Sequence, residues 1–180
     1  HKRVTAAIRE VDNNHIIMLG APQWNGNFKP FKDWTYDDKL MWTCHRYGGD
    51  PIRPAIMNFI EFRDSTNLPM YMGEIGHNTD EWQETFCRTM QEANIGYTFW
   101  PYKKIGGSSW VGFAAPKGWE AIILFAESSR ASYQQIREAR ESVGGISRLQ
   151  EAMEALVEAV KFENCSIDKE YIGALGLNVE

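Results

Sequence analysis

Blocks of β-prone residues alternate with blocks of helical periodicity along this chain, and that alternation restricts the fold more than any other feature. His15-Ile16-Ile17-Met18-Leu19 runs into Gly20 and suits a strand buried on both faces. Leu40 to Tyr47, Met70 to Ile75 and Gly96 to Trp100 are the next such runs, the last broken by Pro101. Helical stretches precede and separate them. Val4, Ile8 and Val11 recur at helical spacing over residues 4–11 and stop at Asp12-Asn13-Asn14. Pro54, a good first helical residue, leads Ile56, Phe59, Ile60 and Arg63, and Asn67-Leu68-Pro69 closes that helix. Asn78 and Glu81 have capping-box spacing ahead of a stripe of Trp82, Phe86, Met90 and Ala93, which stops near Asn94 and Gly96.

Beyond a Gly/Ser loop at 106–109, residues 119–126 and 129–143 read as helices. Gly144-Gly145 then separates a last helix, in which Ser147 and Gln150 are spaced as a second capping box. Its expected core stripe is Leu149, Met153, Leu156, Val157 and Val160. Strands alternating with helices of this length imply parallel β/α units. Four strands are visible, and a complete (β/α)8 barrel takes about 250 residues, so 180 residues with extra helices hold about half of one. The connection over 20–39 is long for such a fold, and long loops there are commonly functional.

Charge and composition remove several classes of function. The net charge is 19 − 24 = −5, and no Lys/Arg cluster offsets it, so the electrostatic footprint of a nucleic-acid binder is missing. The longest clean apolar run, Ala121 to Ala126, is six residues, against the roughly 20 needed to cross a bilayer. Cys44, Cys87 and Cys165 are odd in number and form no CxxC pair, so they read as small buried hydrophobes rather than a disulfide framework or a zinc site. No charged-then-apolar leader follows His1. Aromatic residues reach 13%, with seven tryptophans, and need an explanation.

In a β/α barrel the reactive groups sit at the C-terminal ends of the strands. Here those ends carry Trp24 shortly past the first strand, His45 and Tyr47 on the second, Glu74 on the third and Trp100 on the fourth. Alternation puts His45 and Tyr47 on one face, and puts Glu74 on a face with Met70 and Met72, expected to be the barrel interior. A carboxylate there is costly to bury unless paired or hydrogen-bonded. Taken singly, each residue has an ordinary structural use. His45 and Tyr47 can be packed core residues, and Glu74 can pair with Lys103 or Lys104. Trp42, Trp82 and Trp119 read as core. Trp24, Trp34, Trp100 and Trp110 lie in loops or at strand ends, where exposed rings offer flat apolar platforms to the C–H faces of sugars.

The order of the motifs adds to this. Cys44-His45-Arg46-Tyr47-Gly48, Pro69-Met70-Tyr71-Met72-Gly73-Glu74-Ile75-Gly76 and Gly96-Tyr97-Thr98-Phe99-Trp100-Pro101-Tyr102-Lys103-Lys104 together resemble glycoside hydrolase family 5, the cellulase family of retaining β-glycanases. The resemblance covers roughly residues 3 to 126 and corresponds to strands five to eight of that family's barrel. It implies a division into 1–126, the second half-barrel, and 127–180, a helical C-terminal extension packing on it. It implies Glu74 as nucleophile, with His45 and Tyr47 as the histidine–x–tyrosine pair beside it. Trp100 would floor the subsite of the cleaved sugar, with Trp24 and Lys103 as further substrate contacts. A retaining glycosidase needs two carboxyls about 5–5.5 Å apart, one to attack and one to donate a proton, and calls for no metal or organic cofactor.

The sequence departs from the family pattern in one respect. The family's acid/base glutamate follows an asparagine at the end of strand four, and this chain has no Asn-Glu dipeptide. The expectation is therefore a β-glucan or hemicellulose hydrolase whose isolated second half is inactive without the half carrying the acid/base. The expected partners are a polysaccharide or oligosaccharide and either that missing half-barrel or a second copy, since an open parallel sheet exposes its edges. Export to the periplasm or beyond is implied by the resemblance alone. The rival reading is a non-catalytic carbohydrate-binding or self-associating half-barrel.

Overall fold

A computed structural model describes residues 1–107 and 109–178. The chain forms two compact units, His1–Pro101 with Lys169–Glu180, and Tyr102–Asp168. The expected boundary at 126/127 falls inside the second.

In the first unit, α1 (Lys2–Arg9) precedes β1 (Ile17–Gly20), a one-turn element α2 (Pro22–Asn25) and β2 (Leu40–His45). A 3₁₀ turn over Arg53–Ile56 leads into α3 (Met57–Thr66), then β3 (Met70–Ile75), α4 (Asp80–Glu92) and β4 (Gly96–Phe99). The four strands form one parallel sheet in chain order, so their C-terminal ends share an edge. Pro54 lies in the 3₁₀ turn, a turn before the α-helix it was expected to open.

One face of this sheet carries the core. Leu19, Trp42 and Met70 are in register, as are Cys44 and Met72, and all are buried. Trp42 Nε1 donates to Thr66 Oγ1 of α3 at 2.9 Å, so this is the helix-covered face. Phe28 and Phe31 from the long 20–39 connection stack onto it, with ring centroids 5.9 and 4.7 Å from Trp42. Much of that connection's aromatic content is therefore core. Each large apolar side chain fully buried here contributes roughly 1.5–3 kcal/mol. Met70 and Met72 thus face the helices rather than a barrel interior.

Thr79, not Asn78, caps α4, its hydroxyl accepting from Trp82 N at 3.3 Å. The stripe of α4 is buried at Phe86, Met90 and Ala93, while Trp82 is half-buried against Phe86.

The second unit opens with β5 (Lys103–Ile105) and β6 (Val111–Phe113), paired in parallel, and continues through α5 (Trp119–Glu127), α6 (Tyr133–Ser142) and α7 (Gly145–Ala159) to β7 (Ser166–Ile167), antiparallel to β6. These three strands were not expected. Helix α7 starts two residues before Ser147, with Gly144 left-handed at φ 94°, so the second capping box does not form. Its buried residue is Ala152, whose methyl abuts Gly118, while Met153 and Val157 of the expected stripe are exposed. The chain then re-enters the first unit as α8 (Lys169–Ala174), which packs on α4 and sets Tyr171 edge-on to Phe99. Among the described residues no helix is long and apolar enough to cross a membrane.

Candidate active site

The C-terminal edge of the parallel sheet gathers polar groups, and a slip in register brings the principal one into place. Trp42, Thr43 and Cys44 pair in step with Met70, Tyr71 and Met72, but His45 pairs with Glu74 rather than Gly73. Strict alternation would carry Glu74 under the helices with Met72; the irregularity turns it out beside His45 instead. Gly73, the residue skipped, lies where a Cβ would meet Thr43 Oγ1 at 2.5 Å and His45 Nε2 at 3.1 Å. Only glycine leaves the imidazole its place.

Two side chains converge on one carboxylate oxygen. The Tyr47 hydroxyl donates to Glu74 Oε2 in a short hydrogen bond, and His45 Nδ1 lies 3.3 Å from the same atom. Among the described residues Glu74 Oε1 accepts no hydrogen bond. Burial, and then the carboxylate it donates to, push the Tyr47 phenol well above its ordinary value, so it keeps its proton at neutral pH. The Tyr47 backbone is fixed as well, since Asn78 Nδ2 donates to its carbonyl at 3.0 Å. Arg46 N donates to the Glu74 carbonyl at 3.1 Å, tying the two strand ends together.

The far side of His45 is also occupied. Asn25 Nδ2 lies 2.9 Å from His45 Nε2. Asn25 belongs to α2, whose Gln23, Trp24 and Asn25 all have left-handed backbones at φ 56°, 51° and 59°. The same turn leaves the Trp24 ring 89% exposed. Trp100, just past β4, is 54% exposed, and its peptide bond to Pro101 is cis. Its backbone N donates to the Ile75 carbonyl at 2.6 Å, and Gly76 at φ 139° allows the close approach of the two segments.

The expected residues therefore divide. His45, Tyr47 and Glu74 meet at one atom, and Trp24 and Trp100 present open rings past the ends of the two outer strands, β1 and β4. Lys103 belongs to the second unit, where its ammonium donates to the Val160 carbonyl at 2.6 Å and stands over the Phe162 ring. Trp34 packs on Phe62 at 6.2 Å and Trp110 on Tyr102 at 5.8 Å, so neither is a free platform. Asn25 and Asn78 were not anticipated. Asn78 read as a helix cap, and Asn25 had only its place beside Trp24 as a signal.

Consecutive parallel β/α units with polar groups collected at the strand ends define the class as a β/α-barrel fold, here part of one barrel. The family model described as cellulase (glycosyl hydrolase family 5) matches residues 1–105, and the chain belongs to that family. It is 27% identical over 129 residues to the β-mannanase/endoglucanase A of Caldicellulosiruptor saccharolyticus, covering 62% of this chain and 9% of that protein. Among solved structures, an endoglucanase superposes with a TM-score of 0.52 at 17% identity, over 61% of this chain and 47% of its own. The endoglucanase of the hyperthermophilic Thermotoga maritima gives 0.50 at 15% identity, over 77% and 52%. These likenesses show the fold. The chain spans about half the length of these solved relatives and under a tenth of the mannanase/endoglucanase.

Proposed function

We propose that this chain supplies the nucleophile half of the active site of a retaining glycoside hydrolase, acting on β-linked glucan or mannan. The observation that carries the reading is the asymmetry of Glu74. Its Oε2 is held by Tyr47 and faces His45, while Oε1 accepts no hydrogen bond among the described residues and is left to attack an anomeric carbon. A phenol that keeps its proton donates to the carboxylate and fixes its plane, which nucleophilic attack requires. The glycosyl–enzyme ester forms at Glu74 as the leaving oxygen takes a proton from a second carboxyl about 5–5.5 Å away, and that carboxyl then activates water. We assign the second carboxyl to a polypeptide carrying the first four strands, so this chain by itself turns over no polysaccharide. Trp100 is the floor for the sugar being cleaved, and Trp24 a platform further along the chain of sugars.

Glucan and mannan are named because the relatives are called endoglucanases and β-mannanase/endoglucanase. The test is Glu74→Gln in the barrel completed by the first four strands. Turnover should fall by more than about a thousandfold while oligosaccharide binding stays within about twofold, since the amide keeps the shape and removes the nucleophile.

A second reading, a binding or self-associating half-barrel, draws on the open face of the sheet, where Met18 is 45% exposed and Thr98 is exposed. In that case loss of Trp24 or Trp100 abolishes sugar affinity and Glu74→Gln changes nothing.

A further inference from the structure

We infer that Asn25 is a positioning residue that fixes the tautomer of His45, and that the left-handed turn Gln23–Asn25 exists to hold it there; the consequence for catalysis rests on the reading of Glu74 above. An asparagine Nδ2 only donates, so its 2.9 Å approach to His45 Nε2 requires that nitrogen to be bare and to accept. The ring proton then sits on Nδ1, the nitrogen 3.3 Å from Glu74 Oε2, so the imidazole turns its N–H edge rather than a bare nitrogen to the carboxylate side. With the opposite tautomer, Nδ1 would turn a lone pair on the carboxylate and repel it. Asn25 therefore acts on Glu74 through the imidazole, by setting which ring nitrogen carries the proton beside Oε2.

Two independent features show that the chain is shaped to this contact. Three consecutive non-glycine residues adopt positive φ in α2. Each such residue costs on the order of 1 kcal/mol or more and persists only where its surroundings hold it. Gly20, at the end of β1, lies where a Cβ would stand 2.7 Å from Asn25 Oδ1, so any larger residue there displaces the amide. The strand end leaves a seat, and the strained turn delivers the amide into it. The turn works in both directions, because the twist that aims Asn25 inward leaves Trp24 outside.

The test is the two-bond ¹⁵N–¹H correlation spectrum of the histidine rings in the full 180-residue chain, with His45 assigned through His45→Gln. The native protein should show His45 protonated at Nδ1 with a bare Nε2. Asn25→Gly keeps the left-handed backbone and removes the amide, and should move His45 toward the Nε2–H form that free imidazole prefers. Gly20→Ala, which leaves Asn25 in the sequence but unseats it, should do the same. Asn25→Asp places an acceptor at Nε2 and should add a proton there. His1 and His15 serve as internal controls, and the backbone amide spectrum reports whether each variant folds. A native Nε2–H form overturns the inference, as does a folded Asn25→Gly or Gly20→Ala with unchanged His45. In the completed barrel, Asn25→Gly should lower kcat by about 10- to 100-fold with KM within about twofold, the cost of a carboxylate held out of line. If the tautomer responds as expected while Glu74→Gln retains turnover, the positioning of His45 stands and the assignment of the nucleophile fails.

Discussion

Tyr47 donates its hydroxyl proton to the same Glu74 oxygen that faces His45 Nδ1, so two side chains from one strand end address one atom from the next. Tyr47→Phe removes the shorter of these contacts. A hydrogen bond to a charged group is worth about 1.5–3 kcal/mol, so turnover of the completed barrel should fall about 10- to 100-fold. The same bond sets an alkaline limit. The folded Tyr47 phenol lies above its ordinary value, so its contribution to stability is full below the unfolded value of about 10 and is lost as pH rises through the folded one. Chemical denaturation between pH 9 and 11 should show a steeper loss for the native protein than for Tyr47→Phe. Parallel slopes would remove the phenol from the account.

The two glycines at the end of β3 should differ in what they tolerate. At Gly76 a Cβ would lie 2.1 Å from the Trp100 carbonyl oxygen, a backbone atom, at φ 139°. Gly76→Ala should therefore leave little folded protein. At Gly73 the obstacles are the Thr43 hydroxyl and the His45 ring, which can shift. Gly73→Ala should fold, lose about 1–3 kcal/mol in thermal or urea denaturation, and displace His45 from Glu74 in the imidazole spectrum.

Acid should loosen the N-terminal end of the first unit. Arg9 holds Asp37 through two contacts, Nε to Oδ2 at 2.7 Å and Nη2 to Oδ1 at 2.9 Å, which docks α1 on the segment before β2. The Arg9 guanidinium and then the Lys39 amide lower the Asp37 carboxyl to about 2. Asp12 falls to about 2 through the backbone amides of Asn14 and His15, and Asp33 to about 2 through Lys2 and Thr35. Depressed carboxyls contribute stability above their unfolded value of about 3.9 and lose it as pH falls through about 2. Stability should drop across that window, and Asp37→Asn should flatten the drop. An unchanged slope in Asp37→Asn would exclude the Arg9 pairing as its source.

Thiol chemistry separates buried from surface positions. Burial raises the Cys44 thiol to about 12 and the Cys87 thiol to about 11, while Cys165 is half-exposed in the second unit. An alkylating reagent at pH 8 should modify Cys165 in the folded protein and all three cysteines in denaturant. Modification of Cys44 under native conditions would contradict the covered face of the sheet.

The four parallel strands were legible because each is a run of four to six residues bounded by turn signals. Strands β5 to β7 are two or three residues long, too short to display alternation against the helices around them. Period-two reasoning found Glu74 at a strand end but set it on the Met70 and Met72 face, because a slip in register leaves no trace in the order of residues. Asn25 was hidden for a related reason. A left-handed turn normally announces itself with glycine, and here Gln23, Trp24 and Asn25 make it. In α7 the apolar spacing identified a stripe without saying which side would be covered, and the small Ala152 is buried where Met153 and Val157 are not.

Covalent trapping tests whether Glu74 attacks the sugar. A 2-deoxy-2-fluoro β-glucoside or β-mannoside oligosaccharide with an activated aryl leaving group needs no proton to depart, which separates the nucleophilic step from the acid/base carboxyl. In the barrel completed by the first four strands, the peptide containing Met70–Ile75 should gain the mass of the fluorinated glycosyl group in an ester at Glu74, and Glu74→Gln should abolish the gain. Labelling of a different carboxylate, or undiminished labelling in Glu74→Gln, would contradict Glu74 as the nucleophile.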